Sequence, residues 1–525
     1  MKTAMTSIYT FIKKHPKTDL IVLGLGLAVF LTITLINAPR ASIWFDEAFS
    51  TYIAQFSFWD IARFTASDVH PPFYYWLLKV WSNIFGTTEL AYRSLSILFG
   101  AATAVVAFFL SRKLFGRKVA WLSLVFIVLS PMVIRYSDEA RMYTLAALIV
   151  MSATILMLKA IETKKTKYWV WYGVLVSVGM WTHYFTALAW LAHWAWRATQ
   201  VWRKGISFKD FMKKFFTKPW IITYAVAVGL FLPWLPFMAK QLGVVQGGGF
   251  WIGPVGVDTP TNYATNYFYY LEHGQVHSWL ALVLLATVIV TLIALPKAYR
   301  ALNVREKGSF LLIASLAWVP PVLLFFASLP PLRSSFVERY LIPSLVALSI
   351  FLAVVLLKGT RSWKPFWRTL PILAVIGMMI FGITNVYKYG NFNKNTNTHI
   401  LTRQAVEAAQ QASSAGVPIV ARSPWIFYEA APYSTDEHPI YFIDEATDYK
   451  FGSLDMLKYN DMHKIKDLAA FEKEHPVIWY LDNTADEDVP AYSDSWQKIK
   501  TVGAYDDLTG RTAYKATEYR VNPSN

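Results

Sequence analysis

Runs of apolar residues long enough to cross a bilayer recur along the first 389 residues of this 525-residue chain. They lie at roughly 20–38, 91–111, 119–135, 142–159, 168–183, 184–197, 219–238, 278–296, 309–330, 337–357 and 367–386, and each suits a helix through a hydrocarbon core of about 30 Å. None alternates apolar and polar positions as a membrane-barrel strand does. The pattern therefore predicts a polytopic α-helical membrane domain over 1–389 with about eleven transmembrane helices. The character changes at the polar linker NFNKNTNTH (391–399). Beyond it PIVARS (418–423), PIYFID (439–444) and PVIWYLD (476–482) read as strands, with ILTRQAVEAAQQASSAG (400–416) and DLAAFEKEH (467–475) as helices. Strands alternating with helices predict a small α/β domain over 390–525 with a partly parallel sheet. No glycine-rich phosphate loop follows any of these strands.

Two segments between spans have patterns of their own. The stretch 39–90 is too long for a simple connection. In it, Phe49, Tyr52, Ile53 and Phe56 recur at i, i+3, i+4 and i+7, which predicts an amphipathic helix along the membrane interface. HPPFYYWLLKVWSNIF (70–85) opens on two prolines, as a helix start does, so two or three interfacial helices are expected there. The segment 239–277 holds GVVQGGGFWIGPVG, whose glycines and aromatics suit a mobile lid or a lipid-contact loop.

Composition agrees with a membrane chain: 55% of residues are hydrophobic and 16% charged, against about 25% charged in a soluble domain. The net charge of +16 would suggest nucleic acid, but its placement argues for lipid instead. With the N-terminus inside, the segments 1–19, 112–118, 159–167, 197–218, 297–308 and 358–368 carry 27 Lys and Arg, and the outer loops 39–90, 135–141, 239–277 and 331–339 carry 8. That is the positive-inside asymmetry, with the basic side meeting anionic lipid headgroups. An odd number of spans then puts the α/β domain outside the membrane. The first apolar run is longer than a signal-peptide core and reads as a retained signal-anchor. There is no cysteine, which excludes disulfides, thiol nucleophiles and cysteine metal sites.

Candidate chemistry gathers in the outer segments. ASIWFDEAFST (41–51) places Asp46 and Glu47 just after the first span; Asp46 either caps the helix that follows or serves as a general base. In SDVHPPFYYW (67–76), His70 stands where a helix begins and suits a phosphate, with Asp68 setting its tautomer or capping the helix. IRYSDEARMY (134–143) holds Asp138 and Glu139 between Arg135 and Arg141, with Tyr143 closing the turn. FVERYLIP (336–343) brings Glu338, Arg339 and Tyr340 to the outer mouth of a span; Arg339 either grips a phosphate or snorkels from the helix end. His183 and Tyr184, at an outer hairpin, read more simply as aromatic-belt residues. Three acidic clusters with cations on one outer rim suggest a shared site.

At WFDEAFST, DVHPPFYYWLLKVW, YSDEARMY and ERYLIP the sequence resembles the GT-C glycosyltransferases, over about residues 10–390. The nearest branch is the bacterial one grouped with protein O-mannosyltransferases, aminoarabinose transferases and rhizobial galacturonosyltransferases. The resemblance implies an enzyme that takes a hexosyl or pentosyl group from a polyprenyl-phosphate-linked donor. It passes the sugar, with inversion, to an acceptor hydroxyl at the outer face of the cytoplasmic membrane. It implies Asp46 as base, Glu47 as its neighbour on the acceptor side and Glu139 as a second acid. His70 stands where aminoarabinose transferases use a lysine in the donor-phosphate site, with Arg339 and Arg141 as further phosphate-binding cations. It leaves a divalent metal open, and leaves the acceptor open among protein, lipid and envelope glycan. One part follows from the residues alone: nucleotide sugars are cytoplasmic, the candidate acids lie outside, and a lipid-borne donor fits that topology. The alternative is a transporter or lipid flippase; against it, the charges gather at the rim, with Arg93 the main exception, and no internal repeat is present.

Overall fold

A computed structural model describes residues 17–246, 252–271, 278–393, 398–444, 457, 462–483 and 491–522. Residues 1–16, with Lys13 and Lys14 of the expected anchor, the glycine-rich stretch 247–251 of the expected lid, and 394–397 of the linker lie outside the described residues. The helices in chain order are α1 (Lys17–Asn37), α2 (Phe45–Ile53), α3 (Phe58–Ser67), α4 (Phe73–Phe85), α5 (Glu89–Phe115), α6 (Arg117–Val128), α7 (Pro131–Ser137), α8 (Tyr143–Thr163), α9 (Thr166–Thr182) and α10 (Thr186–Val201). They continue with α11 (Phe208–Phe215), α12 (Lys218–Phe231), α13 (Leu235–Gln246), α14 (Thr259–Tyr269), α15 (Ser278–Ala301), α16 (Val304–Ala327), α17 (Ile342–Gly359) and α18 (Pro365–Tyr389). The chain forms two compact units. One comprises 1–35, 96–138 and 142–387; the other comprises 36–95, 139–141 and 388–525.

The first unit is a helical bundle built around α17. Its sequence, IPSLVALSIFLAVVLLKG, is apolar on every side, and a helix of that kind belongs in a core. Sixteen of its eighteen residues are buried, and it packs against α6, α8, α15 and α16. Pro343 in its first turn sits where a missing N–H is harmless. At its far end the backbone comes so close to α15 that a Cβ on Gly359 would fall 2.3 Å from the Ala294 carbonyl oxygen.

Eight helices among the described residues are long and apolar enough to cross a membrane, and α6 with α7 makes a ninth if the bent pair is one span. That pair turns by 57° at Pro131, where the ring removes a helical donor. The other two expected spans are α9 and α10, of 17 and 16 residues. At 1.5 Å per residue they reach about 24–26 Å, short of a full hydrocarbon core.

The second unit carries a six-stranded mixed sheet of order β5-β4-β3-β6-β8-β7. Its strands are β3 (Ile419–Ala421), β4 (Ile440–Ile443), β5 (Lys464–Ile465), β6 (Val477–Asp482), β7 (Trp496–Asp506) and β8 (Arg511–Val521). The strands β5, β4, β3 and β6 are parallel, and β8 and β7 add an antiparallel hairpin; a separate small ribbon pairs β1 (Phe392–Asn393) with β2 (Thr398–His399). Three helices, α19 (Thr402–Ala412), α20 (Pro424–Ala430) and α21 (Leu468–Glu474), accompany the sheet. Val420, Ile478, Tyr480, Trp496, Tyr519 and Val521 form its core.

Of the two or three helices expected over 39–90, three are present, as α2, α3 and α4. However, α2 is not an interfacial helix with one solvated face: seven of its nine residues are buried. Much of that cover comes from α20, where Phe45 packs on Trp425 and Tyr52 on Phe427 and Tyr428.

Candidate active site

The two acids of α2 have opposite surroundings. Trp44 occupies the N-cap position and makes no side-chain cap bond, so Asp46 is not the N-cap; both acids lie in the first turn, where the helix dipole favours negative charge. Glu47 is 1% exposed and forms a bidentate pair with Arg93, which is 2% exposed: Nε donates to Oε1 at 2.8 Å and Nη2 to Oε2 at 2.6 Å. The Ala140 amide donates to the same Oε1 at 2.9 Å. Arg93 also donates to the carbonyls of Ala38, Ala41 and Ser42. Glu47 thus ties the start of α2 to α5, to the chain before α2 and to the 139–141 turn. Asp46, one residue earlier, is half-buried.

Arg141 braces the same helix from the turn. Its Nη1 reaches the Asp46 carbonyl at 3.1 Å, Ser50 Oγ at 3.3 Å and Tyr75 Oη at 3.1 Å, and its guanidinium lies over the Tyr75 ring. His70 Nδ1 pairs with Asp68 Oδ2 at 3.1 Å, and both side chains are about one-tenth exposed. Burial holds the His70 imidazole below its ordinary basicity. The Asp68 hydrogen bond pulls it up, the Arg141 charge pushes it down, and the charges of Asp68 and Asp46 pull it up again. Burial thus favours the neutral imidazole, and the Asp68 carboxylate favours the tautomer that carries its proton on Nδ1. The structure thus gathers Asp46, Glu47, Asp68, His70, Glu139 and Arg141 in one unit, Glu139 being fully buried in the turn.

The remaining candidates fall in the helical bundle. Asp138 is the C-cap of α7 and is buried. Arg339, Tyr340, Tyr143 and His183 come together from three separate segments. The Arg339 guanidinium carbon lies 5.9 Å from the Tyr143 ring centre and 6.0 Å from that of Tyr340. The His183 ring is 4.9 Å from Tyr340 and 5.8 Å from Tyr143, and Phe185 stacks on Tyr340 at 4.7 Å. Glu338 accepts from Asn266 Nδ2 at 3.2 Å. Such packing restrains the guanidinium fork. Tyr184 has a structural part, accepting from Trp234 Nε1 and donating to Gln241. Among the described residues, no three carboxylates or imidazoles converge as a cation site requires.

The sequence assigned no part in the site to Arg93, Tyr75 or Phe185. Arg93 was legible only as a charge inside an apolar span, which is itself a signal of a specific partner. Tyr75 and Phe185 have no signature apart from lying in aromatic runs.

The model of the dolichyl-phosphate-mannose-protein mannosyltransferase family matches residues 69–237. Among curated proteins, no sequence matches the chain. Among solved structures, it is similar to ArnT from Cupriavidus metallidurans in the apo state, with a TM-score of 0.57 at 13% identity over 95% of this chain and 97% of that one. The same protein bound to undecaprenyl phosphate aligns with a TM-score of 0.55, again at 13% identity and over 95% and 97% of the two chains. The apo oligosaccharyltransferase of Archaeoglobus fulgidus gives 0.50 at 13% identity over 80% of this chain and 64% of that one. The chain therefore has the fold of the GT-C glycosyltransferases, as the four motifs implied.

Proposed function

We propose that this GT-C-fold chain is a membrane glycosyltransferase that moves a sugar from a polyprenyl phosphate to an acceptor hydroxyl at the outer membrane face, with inversion. The family match and the fold support membrane glycosyl transfer, and one solved relative holds undecaprenyl phosphate. The observation that carries the residue roles is the unequal burial of the acidic pair. Glu47 is sealed into Arg93, and Asp46 is the more exposed of the two, so Asp46 is assigned to the acceptor.

Asp46 accepts the proton of the acceptor hydroxyl as that oxygen bonds to the anomeric carbon. On the opposite face, the bond from that carbon to the phosphate oxygen breaks and its electron pair leaves with the phosphate. The transition state has oxocarbenium character, as in glycoside hydrolysis. A departing phosphate is already anionic and needs cations rather than a general acid. His70 is assigned to it. Its neutral form takes a proton at Nε2 when the phosphate arrives, keeping Nδ1–H on Asp68. Arg141 holds the Asp46 carbonyl and so orients the base.

The test is transfer by the purified protein in lipid nanodiscs from labelled polyprenyl-phosphate sugars to candidate acceptors. Asp46→Asn should abolish transfer without moving the unfolding temperature. Full activity in that variant would remove Asp46 from the mechanism.

A further inference from the structure

The sheet of the C-terminal domain is covered unevenly. Leu468 and Phe471 of α21 pack over the cluster of Ile478, Tyr480, Trp496 and Tyr519. The β7–β8 hairpin extends beyond that cluster, and its register fixes what it presents there. Lys498 stands opposite Tyr519, Thr501 opposite Thr517, Gly503 opposite Lys515 and Tyr505 opposite Thr512. Opposite residues share a face of the sheet, as do alternate ones along a strand. Lys498, Thr501 and Tyr505 therefore project on the same side as Thr512 and Lys515.

A cavity of about 590 Å³ lies on that side, within the size range of natural ligand sites. Three of its lining side chains are cations, Lys498, Arg511 and Lys515, and three are hydroxyls, Thr501, Tyr505 and Thr512; no acid lines it among the described residues. Lysine on an edge strand often serves only to repel other strands, but Arg511 and Lys515 belong to β8, which has β6 and β7 on either side. Lys515 is only 8% exposed, and a buried ammonium needs negative charge. Its cross-strand neighbour on β6 is Asp482, and that acid already accepts from Arg422 Nη1 at 2.7 Å. The acids of the hairpin strands, Asp506 and Glu518, pair with His399 and Lys500.

Shape and spacing narrow the ligand. Gly503 keeps the space between Thr512 and Lys515 open: a Cβ there would stand 2.9 Å from Thr512 Cγ2 and 3.9 Å from Lys515 Cγ. A glycine inside a strand often marks such a close approach. Arg511 pairs in register with Asp506, so the cations are strung along about 20–25 Å of hairpin. A row of that length, with hydroxyls between the charges, suits a chain rather than a single ion. The Tyr505 ring, 60% exposed, offers an apolar face with a polar tip.

We propose that this cavity binds an anionic oligosaccharide, whose carboxylate or phosphate groups meet Lys498, Arg511 and Lys515 while its hydroxyls meet Thr501, Tyr505 and Thr512. The site goes beyond the glycosyltransfer reading and does not depend on it, since binding needs no turnover.

The test uses the full chain in nanodiscs of zwitterionic lipid. The probes are a hexuronic acid tetrasaccharide, singly phosphorylated maltotetraose and neutral maltotetraose, read by calorimetry and by hydrogen exchange over residues 496–521. An anionic probe should bind more tightly than about 1 mM, slow exchange in β7 and β8, and outbind the neutral one about tenfold or more. Added salt should weaken it. Lys498→Gln with Arg511→Gln, both exposed, should weaken it about tenfold or more, the value of a charged hydrogen bond, at an unchanged melting temperature. Binding of neither anionic probe, equal binding of the neutral one, or parent-like affinity in the double variant overturns the proposal. So does equal protection of β7 and β8 by inorganic phosphate alone, or by anionic phospholipid in the disc without sugar, which would assign the cavity to a free anion or to a headgroup. A parent that transfers no sugar refutes the transfer reading and leaves this binding result standing.

Discussion

Removing Glu47 tests whether this acid does chemistry or holds the one that does. Glu47→Ala strands the Arg93 guanidinium, 2% exposed, beside three carbonyls with its carboxylate partner gone. Breaking a buried ion pair from one side costs about 3–5 kcal/mol. The Ala140 amide also loses its acceptor, adding about 1–3 kcal/mol. In a unit of about 200 residues, each kcal/mol lowers the melting temperature by about 2–4 °C, so a loss of about 8–30 °C is expected by scanning fluorimetry in nanodiscs. Asp46→Asn keeps the volume of a half-buried side chain and should stay within about 2 °C of the parent. Replacing both members, Glu47→Leu with Arg93→Met, should recover much of the lost stability, because an apolar pair of similar volume is often neutral. Transfer should fall in Glu47→Ala through misplacement of Asp46. If Glu47→Ala melts with the parent yet loses all transfer, the bracing argument fails and Glu47 acts on the substrate directly.

Three further outcomes follow from named geometry. Donor affinity should weaken as pH rises from about 5.5 to 7.5, because burial holds His70 below its ordinary value and a neutral imidazole must gain a proton to serve as a cation; His70→Lys should flatten that profile in a lipid-phosphate binding titration, and an unchanged slope would remove His70 from the phosphate. Arg339→Ala should raise the donor KM about tenfold or more, the value of one charged hydrogen bond, and Arg339→Lys should recover only part of it because an ammonium lacks the planar fork that the Tyr143 and Tyr340 rings flank. Gly359→Ala places a methyl 2.3 Å from the Ala294 oxygen and should destabilise the bundle by about 1–3 kcal/mol, read as a lower melting temperature; wild-type stability would mean that α15 and α17 separate freely.

Legibility in the sequence followed physical range. Spans such as α17 declare themselves because every side must be apolar. The strands β3, β4 and β6 were legible within a residue or two, since each is a short apolar run bounded by turn residues. The hairpin β7–β8 was not, because its outer strand interleaves Lys498 and Lys500 with the residues that pair and so lacks an apolar run. In the site, residue types and motif order drew attention to Asp46, His70, Arg141 and Arg339. What they could not reveal was division of labour. Asp46 and Glu47 are neighbours with the same functional group, and only Arg93, from a span with no motif, separates them.

The packing of Phe45 on Trp425 and of Tyr52 on Phe427 and Tyr428 also sets an order of events during biosynthesis. Contacts of very long sequence separation form late and slowly, and chains are made from the N-terminus at about 5–20 residues per second. The helix α2 therefore emerges long before α20 exists to cover it. For the tens of seconds that separate them, the nascent chain carries the Phe45 and Tyr52 rings without their partners, and ribosome-bound chains stopped short of α20 would leave that aromatic face to lipid or chaperone.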